Sequence, residues 1–128
     1  MPTWERWDAA HPSLRLVAED DGHVVGWAAL SPYSSRRCYR GVAEESVYVA
    51  EAARGRGIGH SLLEELIARA EAEGYWTLLA GIFPQNVASV ALHTSCGFRI
   101  VGTHVGLGER DGVFRDVLTL EYRSTTSR

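Results

Sequence analysis

Three glycines at alternate positions, Gly55, Gly57 and Gly59, stand between a β-prone stretch and an amphipathic one, and that junction restricts the chain more than any other feature. From about residue 57 to residue 73 the apolar residues recur with a helical period. Ile58, Leu62, Leu66 and Ala70 fall every four residues, joined by Leu63 and Ile67, while Glu64, Arg69, Glu71 and Glu73 take the other side. Glu65 and Arg69 form a favourable i,i+4 pair, and Gly74 stands where a C-terminal cap belongs. The helix therefore opens inside Arg54-Gly55-Arg56-Gly57-Ile58-Gly59. Free N–H groups at a helix start bind anions, glycines let backbone come close, and two arginines add charge. The physics is that of a phosphate cradle.

The other elements set the context. Residues 14–18 and 24–30 read as a β-hairpin around an Asp-Gly turn, and residues 31–41 as a loop carrying three arginines and two tyrosines. Residues 42–49 form a strand whose alternation puts Glu44, Ser46 and Tyr48 on one face and Glu45, Val47 and Val49 on the other. Only one of the paired glutamates can look into a given site. Residues 77–83 read as a buried strand, and Asn86 as the N-cap of a helix running to about Cys96 and ended by Gly97. Strands at 99–105 and 114–122 are joined by a loop at 106–112, and the polar tail 124–128 is expected to fray. The order ββ-β-α-β-α-ββ predicts a mixed α/β single domain over residues 1–128, one sheet with two helices.

Composition excludes classes rather than naming one. The 128 residues fit one domain, the net charge of −3 supplies no global basic field for nucleic acid, and no apolar run approaches the about 20 residues of a membrane span. Cys38 and Cys96 have neither CxxC nor zinc-ligand spacing, so no metal site is expected. The N-terminal stretch lacks the pattern of a signal peptide, and a soluble, cytoplasmic protein is the expectation.

Two phosphate-binding patterns fail on spacing. A nucleotide P-loop needs Gly-Lys-Ser/Thr after four intervening residues, and no lysine stands there; a dinucleotide fingerprint needs G-x-G-x-x-G, where this chain has G-x-G-x-G. Arg54-x-x-Gly57-x-Gly59 instead matches in full the [Q/R]-x-x-G-x-[G/A] cradle of the GCN5-related N-acetyltransferase (GNAT) family. The V-x-V strand end before it (Val47-Tyr48-Val49), and Asn86 and Gly97-Phe98 bounding the second helix, fit the same pattern. Glu44-Glu45-Ser46-Val47-Tyr48-Val49 and residues 86–98 (NVASVALHTSCGF) resemble the phosphinothricin acetyltransferase branch, and the resemblance runs from about Leu14 to Tyr122.

That resemblance implies a GNAT-like, mostly antiparallel central sheet, shortened at the N-terminus, with residues 1–10 as the remnant of a helix. It implies acetyl-CoA as co-substrate and a small amine as acceptor, an amino acid or an analogue of the phosphinothricin or methionine sulfoximine type. Arg54, Gly55, Arg56, Gly57, Ile58, Gly59 and His60 would hold the pyrophosphate. The backbone of Val47, Tyr48 and Val49 would pair with the pantetheine arm, and Asn86 would hydrogen-bond the cofactor. Glu44 and His93 match the proposed acid–base residues: Glu44 as base, with His93 as its partner or as donor to the leaving sulfur. Helical spacing agrees, since Asn86, Val90 and His93 share one stripe. Arg36 is a candidate anchor for a substrate carboxylate, and Tyr39 matches a tyrosine of the branch. Gly41-Val42 and Arg115 depart from the branch at positions that touch the amine pocket. Trp4 and Trp7 would suit an interface, and a homodimer is expected. The other readings are an acyl-CoA-binding module with little or no turnover, and acetylation of a protein N-terminus.

Overall fold

A computed structural model describes residues 14–126. Strands β1 (Arg15–Asp20) and β2 (His23–Pro32) pair antiparallel across Asp21-Gly22, both at positive φ (50° and 79°), the geometry of a two-residue turn whose twist suits a hairpin. A single 3₁₀ turn at Arg37–Tyr39 orders the connection to β3 (Val42–Val49). Helix α1 (Ile58–Ala72) leads to β4 (Thr77–Ile82), and helix α2 (Val87–Ser95) to β5 (Arg99–Arg110) and β6 (Val113–Arg123). The sheet order is β1-β2-β3-β4-β6-β5, antiparallel throughout except between β3 and β4.

The apolar stripe of α1 goes where its period sends it. Leu62, Leu63, Leu66, Ile67 and Ala70 are buried against Ala28 and Leu30 of β2, Ala43 of β3, Leu78, Ala80 and Ile82 of β4, and Leu120 of β6. Burying each leucine fully is worth roughly 2 kcal/mol. The Glu65–Arg69 pair forms on the wet side, at 2.9 Å. Asn86 caps α2 by accepting the Ser89 N–H at 3.2 Å.

Two expectations are corrected. Residues 106–110 are not loop: β5 runs through them, and the connection to β6 shrinks to Asp111-Gly112, again at positive φ (54° and 76°). The glycines that read as loop signals instead serve a bulge between His104 and Gly108, where Gly106 takes φ 62° and donates its N–H to Asp116. Ser124 does not fray. It is buried, its N–H donates to the Trp76 carbonyl, and its hydroxyl donates to Glu71 of α1 at 2.6 Å. The expected helix remnant at residues 1–10, Trp4 and Trp7 with it, lies outside the described residues, as do Ser127 and Arg128.

Candidate active site

Parallel pairing between β3 and β4 ends early. Val42, Ala43 and Glu44 pair with Thr77, Leu78 and Leu79, and beyond that register the strands splay. β2 pairs with the opposite edge of β3 as far as Val49, so the β4-facing edge of residues 45–49 keeps unpaired backbone groups. An exposed strand edge is a template for any extended chain carrying amides.

That open edge meets the start of α1. A cleft of about 460 Å³ is lined by Val47, Tyr48 and Val49, by Arg54, Gly55, Gly57, Ile58, Gly59 and His60, and by Asn86, Ala88, Ser89 and Leu92 of the second helix. Gly57 is the N-cap of α1 at φ 77°, a conformation that costs an L side chain. Gly59 serves a different purpose, close approach: a Cβ there would sit 3.3 Å from a Leu92 methyl and 3.4 Å from a Val49 methyl, a tight fit. The first amides of α1 point out of the helix with no intrahelical acceptor, so the dipole and the free N–H groups face the cleft together. Arg54 Nε donates to the Val49 carbonyl at 3.2 Å, which holds its guanidinium at the rim. His60 pairs with Glu64 at 3.0 Å.

A second cavity of about 220 Å³ fills the splay itself, lined by Glu45, Ser46 and Val47, by residues 80–83, and by Asn86 and Ser89. Val47, Asn86 and Ser89 line both spaces, so the cavity adjoins the cleft.

The acidic pair of β3 divides between the faces of the sheet. Glu44 is exposed, and shares its face with Ser46 and Tyr48. Glu45 is buried and forms an ion pair with His93 of α2, their side chains 1% and 3% exposed. His93 Nδ1 lies 2.7 Å from the Ser89 carbonyl, and the edge of the Phe98 ring system packs against the imidazole at 5.0 Å between centroids. Burial pulls the His93 pKa down, but the hydrogen bond and charge of Glu45 and the Ser89 carbonyl outweigh it, and the net shift is upward. Glu45 Oε2 has no hydrogen-bond partner.

The structure thus gathers Val47, Tyr48, Val49, Arg54, Gly55, Gly57, Ile58, Gly59, His60 and Asn86 around one cleft. It does not bring Arg56 there. Held between two glycines at positive φ, Arg56 turns to the other side of the loop, pairs with Asp20 at 3.0 Å and lines a separate groove against β1. Glu44 and His93 do not meet either; the carboxylate at His93 is Glu45, which sequence reasoning left out. Strand alternation separates the two glutamates, yet nothing in the sequence says which face the second helix covers. Arg36 and Tyr39 cluster on the β2–β3 connection, guanidinium over ring at 5.9 Å with Tyr33 edge-on at 5.4 Å, outside the cleft. Among the described residues no group of three or more His, Cys, Asp or Glu side chains is placed to hold a metal ion, and no helix is long and apolar enough to cross a membrane.

Comparison with known proteins agrees with this geometry. The model of the acetyltransferase (GNAT) family matches residues 1–98. A phosphinothricin N-acetyltransferase of Alcaligenes faecalis is 39% identical over 107 residues, 83% of this chain and 54% of the relative. An L-methionine sulfoximine/L-methionine sulfone acetyltransferase of Pseudomonas paraeruginosa is 37% identical over 88% of this chain and 66% of its own length. The chain therefore spans between half and two thirds of these curated relatives. Among solved structures, a ribosomal-protein-alanine N-acetyltransferase from Brucella melitensis superposes with a TM-score of 0.87 at 40% identity, covering 94% of this chain and 75% of that one. A phosphinothricin acetyltransferase from Sinorhizobium meliloti in complex with AcCoA gives 0.86 at 31% identity, over 98% and 71%.

Proposed function

This chain belongs to the acetyltransferase (GNAT) family, and we propose that it transfers the acetyl group of acetyl-CoA directly to the amine of a small amino acid or amino-acid analogue of the phosphinothricin or methionine sulfoximine type. The observation that carries the reading is the meeting of an unpaired strand edge and a glycine-framed helix start in one cleft. The names of the curated relatives support the acceptor class, and the S. meliloti structure with AcCoA supports the co-substrate.

In this reading the amides of residues 58–60 hold the pyrophosphate, with Arg54 and His60 at the rim and Gly55, Gly57 and Gly59 keeping the backbone close. The Val47–Val49 edge takes the pantetheine arm as an added strand. Asn86 spends its carbonyl oxygen on the Ser89 amide and keeps its NH₂ to donate. Acetyl-CoA supplies the activated acyl group. Amine and thioester gain most from being held together, the β3 backbone N–H groups steady the carbonyl oxygen as charge develops, and a carboxylate removes the ammonium proton. Glu44, open to the acceptor face, is the base; His93, the other candidate for the acid–base pair, lies on the interior side of the same strand. Arg36 and Tyr39, on the β2–β3 connection outside the cleft, are the proposed contacts to the acceptor.

The free thiols of Cys38 and Cys96 suit the reducing cytoplasm, where we place the protein. A homodimer is part of the proposal, supported by the exposed Val105, Leu107 and Phe114 on the edge hairpin. The relatives described above carry transferase names, and none favours a binding module without turnover. The test is thiol release from acetyl-CoA across a panel of amino acids, methionine sulfoximine, phosphinothricin and a peptide with an N-terminal alanine. Acceptor-dependent release that collapses in Glu44→Gln supports the reading. Tight acetyl-CoA binding without release on any amine overturns it.

A further inference from the structure

The geometry of the Glu45–His93 pair decides a question that the two candidate bases leave open. His93 Nδ1 lies 2.7 Å from the Ser89 carbonyl oxygen and 3.4 Å from the Ser89 hydroxyl; a backbone carbonyl only accepts, so the shorter contact assigns the proton to Nδ1. Nε2, the one ring nitrogen left, faces Glu45 Oε1. Both partners are almost fully enclosed, Phe98 closes another side of the imidazole, and His93 lines neither the cleft nor the cavity in the splay. Glu45 does line that cavity, and its second oxygen has no partner among the protein's own described groups.

We propose that Glu45 is a positioning residue for the transfer reaction: it occupies the only acceptor atom of His93, withdraws that imidazole from general-base catalysis, and leaves Glu44 on the opposite face as the base. The inference rests on the transferase reading above and deepens it. Of the two protons the acceptor ammonium loses, one passes through Glu44 to solvent. The other ends on the thiolate sulfur as the C–N bond forms and the C–S bond breaks. His93 takes up neither from the amine. Its pair with Glu45 ties α2 to β3 beside the splay, and so fixes Asn86 and Ser89, which line both spaces, against the strand edge.

The experiment has two arms on the whole chain. In the first, ring ¹⁵N shifts of His93 are read at neutral pH in the ligand-free protein, assigned by their loss in His93→Gln. Both ring nitrogens are expected to be of the protonated type in the wild type. In Glu45→Gln, whose NH₂ can donate to Nε2, a neutral ring with a bare Nε2 is expected. A bare Nε2 in the wild type overturns the proposal, and this result does not depend on any turnover. In the second arm, Glu45→Gln and His93→Gln each lower kcat roughly tenfold to a hundredfold, the scale of a small misplacement of reacting groups. The KM for acetyl-CoA rises by no more than it does in Asn86→Ala, and the double variant is no worse than either single one, as expected of residues that act as a unit. Losses that multiply in the double variant overturn the proposal. Absence of turnover on every amine sinks the transferase reading and leaves the ring-nitrogen result standing.

Discussion

Gly57 and Gly22 allow backbone strain to be separated from ligand binding. Both glycines hold nearly the same left-handed φ, 77° and 79°, and at neither would a Cβ meet any atom within 4 Å. Alanine at either position is therefore opposed by conformation alone. Forcing an L residue into that region costs roughly 1–2 kcal/mol. Alanine also restricts the unfolded chain, which offsets about 0.4–1 kcal/mol of that. The net loss is about 1 kcal/mol at both sites, or a fall in Tm of about 3–6 °C for a domain of this size. The two sites part on function. Gly22 sits in the β1–β2 turn, whereas Gly57 is the N-cap whose rotation carries the first amides of α1 away from the cleft. Where the loop relaxes to escape the strain, the cost passes from stability to binding, because acetyl-CoA must restore the strained loop; the two losses at Gly57 together come to about 1 kcal/mol, at most roughly fivefold in affinity. Thermal unfolding without ligand and calorimetric titration with acetyl-CoA give both numbers. A smaller Tm loss in Gly57→Ala than in Gly22→Ala, with weakened binding in Gly57→Ala alone, is expected. If Gly57→Ala loses less stability than Gly22→Ala and still binds acetyl-CoA as the wild type does, the cradle is misassigned.

Glu44→Gln is expected to lower kcat on the order of 10²- to 10⁴-fold, the usual range for a general base, with the Kd for acetyl-CoA unchanged by titration. Arg54→Ala weakens acetyl-CoA binding and flattens its salt dependence, while Arg56→Ala, whose exposed partner is Asp20, leaves both near wild type. Asn86→Ala loses the cap on Ser89, costing about 1 kcal/mol in chemical denaturation, and weakens acetyl-CoA binding as well. Because the folded-state pKa of His93 lies above its unfolded value, its contribution to stability is complete below about pH 6.5 and is lost as pH rises through the raised value. Denaturation midpoints measured across that range should fall with pH in the wild type and lose this component in His93→Gln.

Periodic elements were legible in the sequence because their burial pattern is local. The four-residue stripe of α1 and the Asn86 cap each need only their own neighbours, and both stand where spacing puts them. The glycine-framed helix start was legible for the same reason, since the glycines and the first helical residues lie within six positions. What the sequence concealed depends on tertiary placement. Two adjacent glutamates are indistinguishable until the face covered by α2 is known, and that cover sends Glu45 to His93 and leaves Glu44 outside. Arg56 carries the same charge as Arg54, but two left-handed glycines turn it to Asp20. The glycines at 106 and 108 signal a break, yet β6 supplies a partner that keeps the strand running through them. Ser124 looked like tail, and Glu71 and Trp76, more than 45 positions earlier, hold it.

The most direct test of the whole account is product analysis. Acetyl-CoA bearing an isotopic label in its acetyl group would be incubated with the protein and the amino-acid panel, and the products read by mass spectrometry. The account predicts label on the α-nitrogen of one or more amino acids or analogues, in step with free CoA and lost in Glu44→Gln. Label that stays on CoA, or reaches water as acetate at the same rate with and without acceptor, would contradict it.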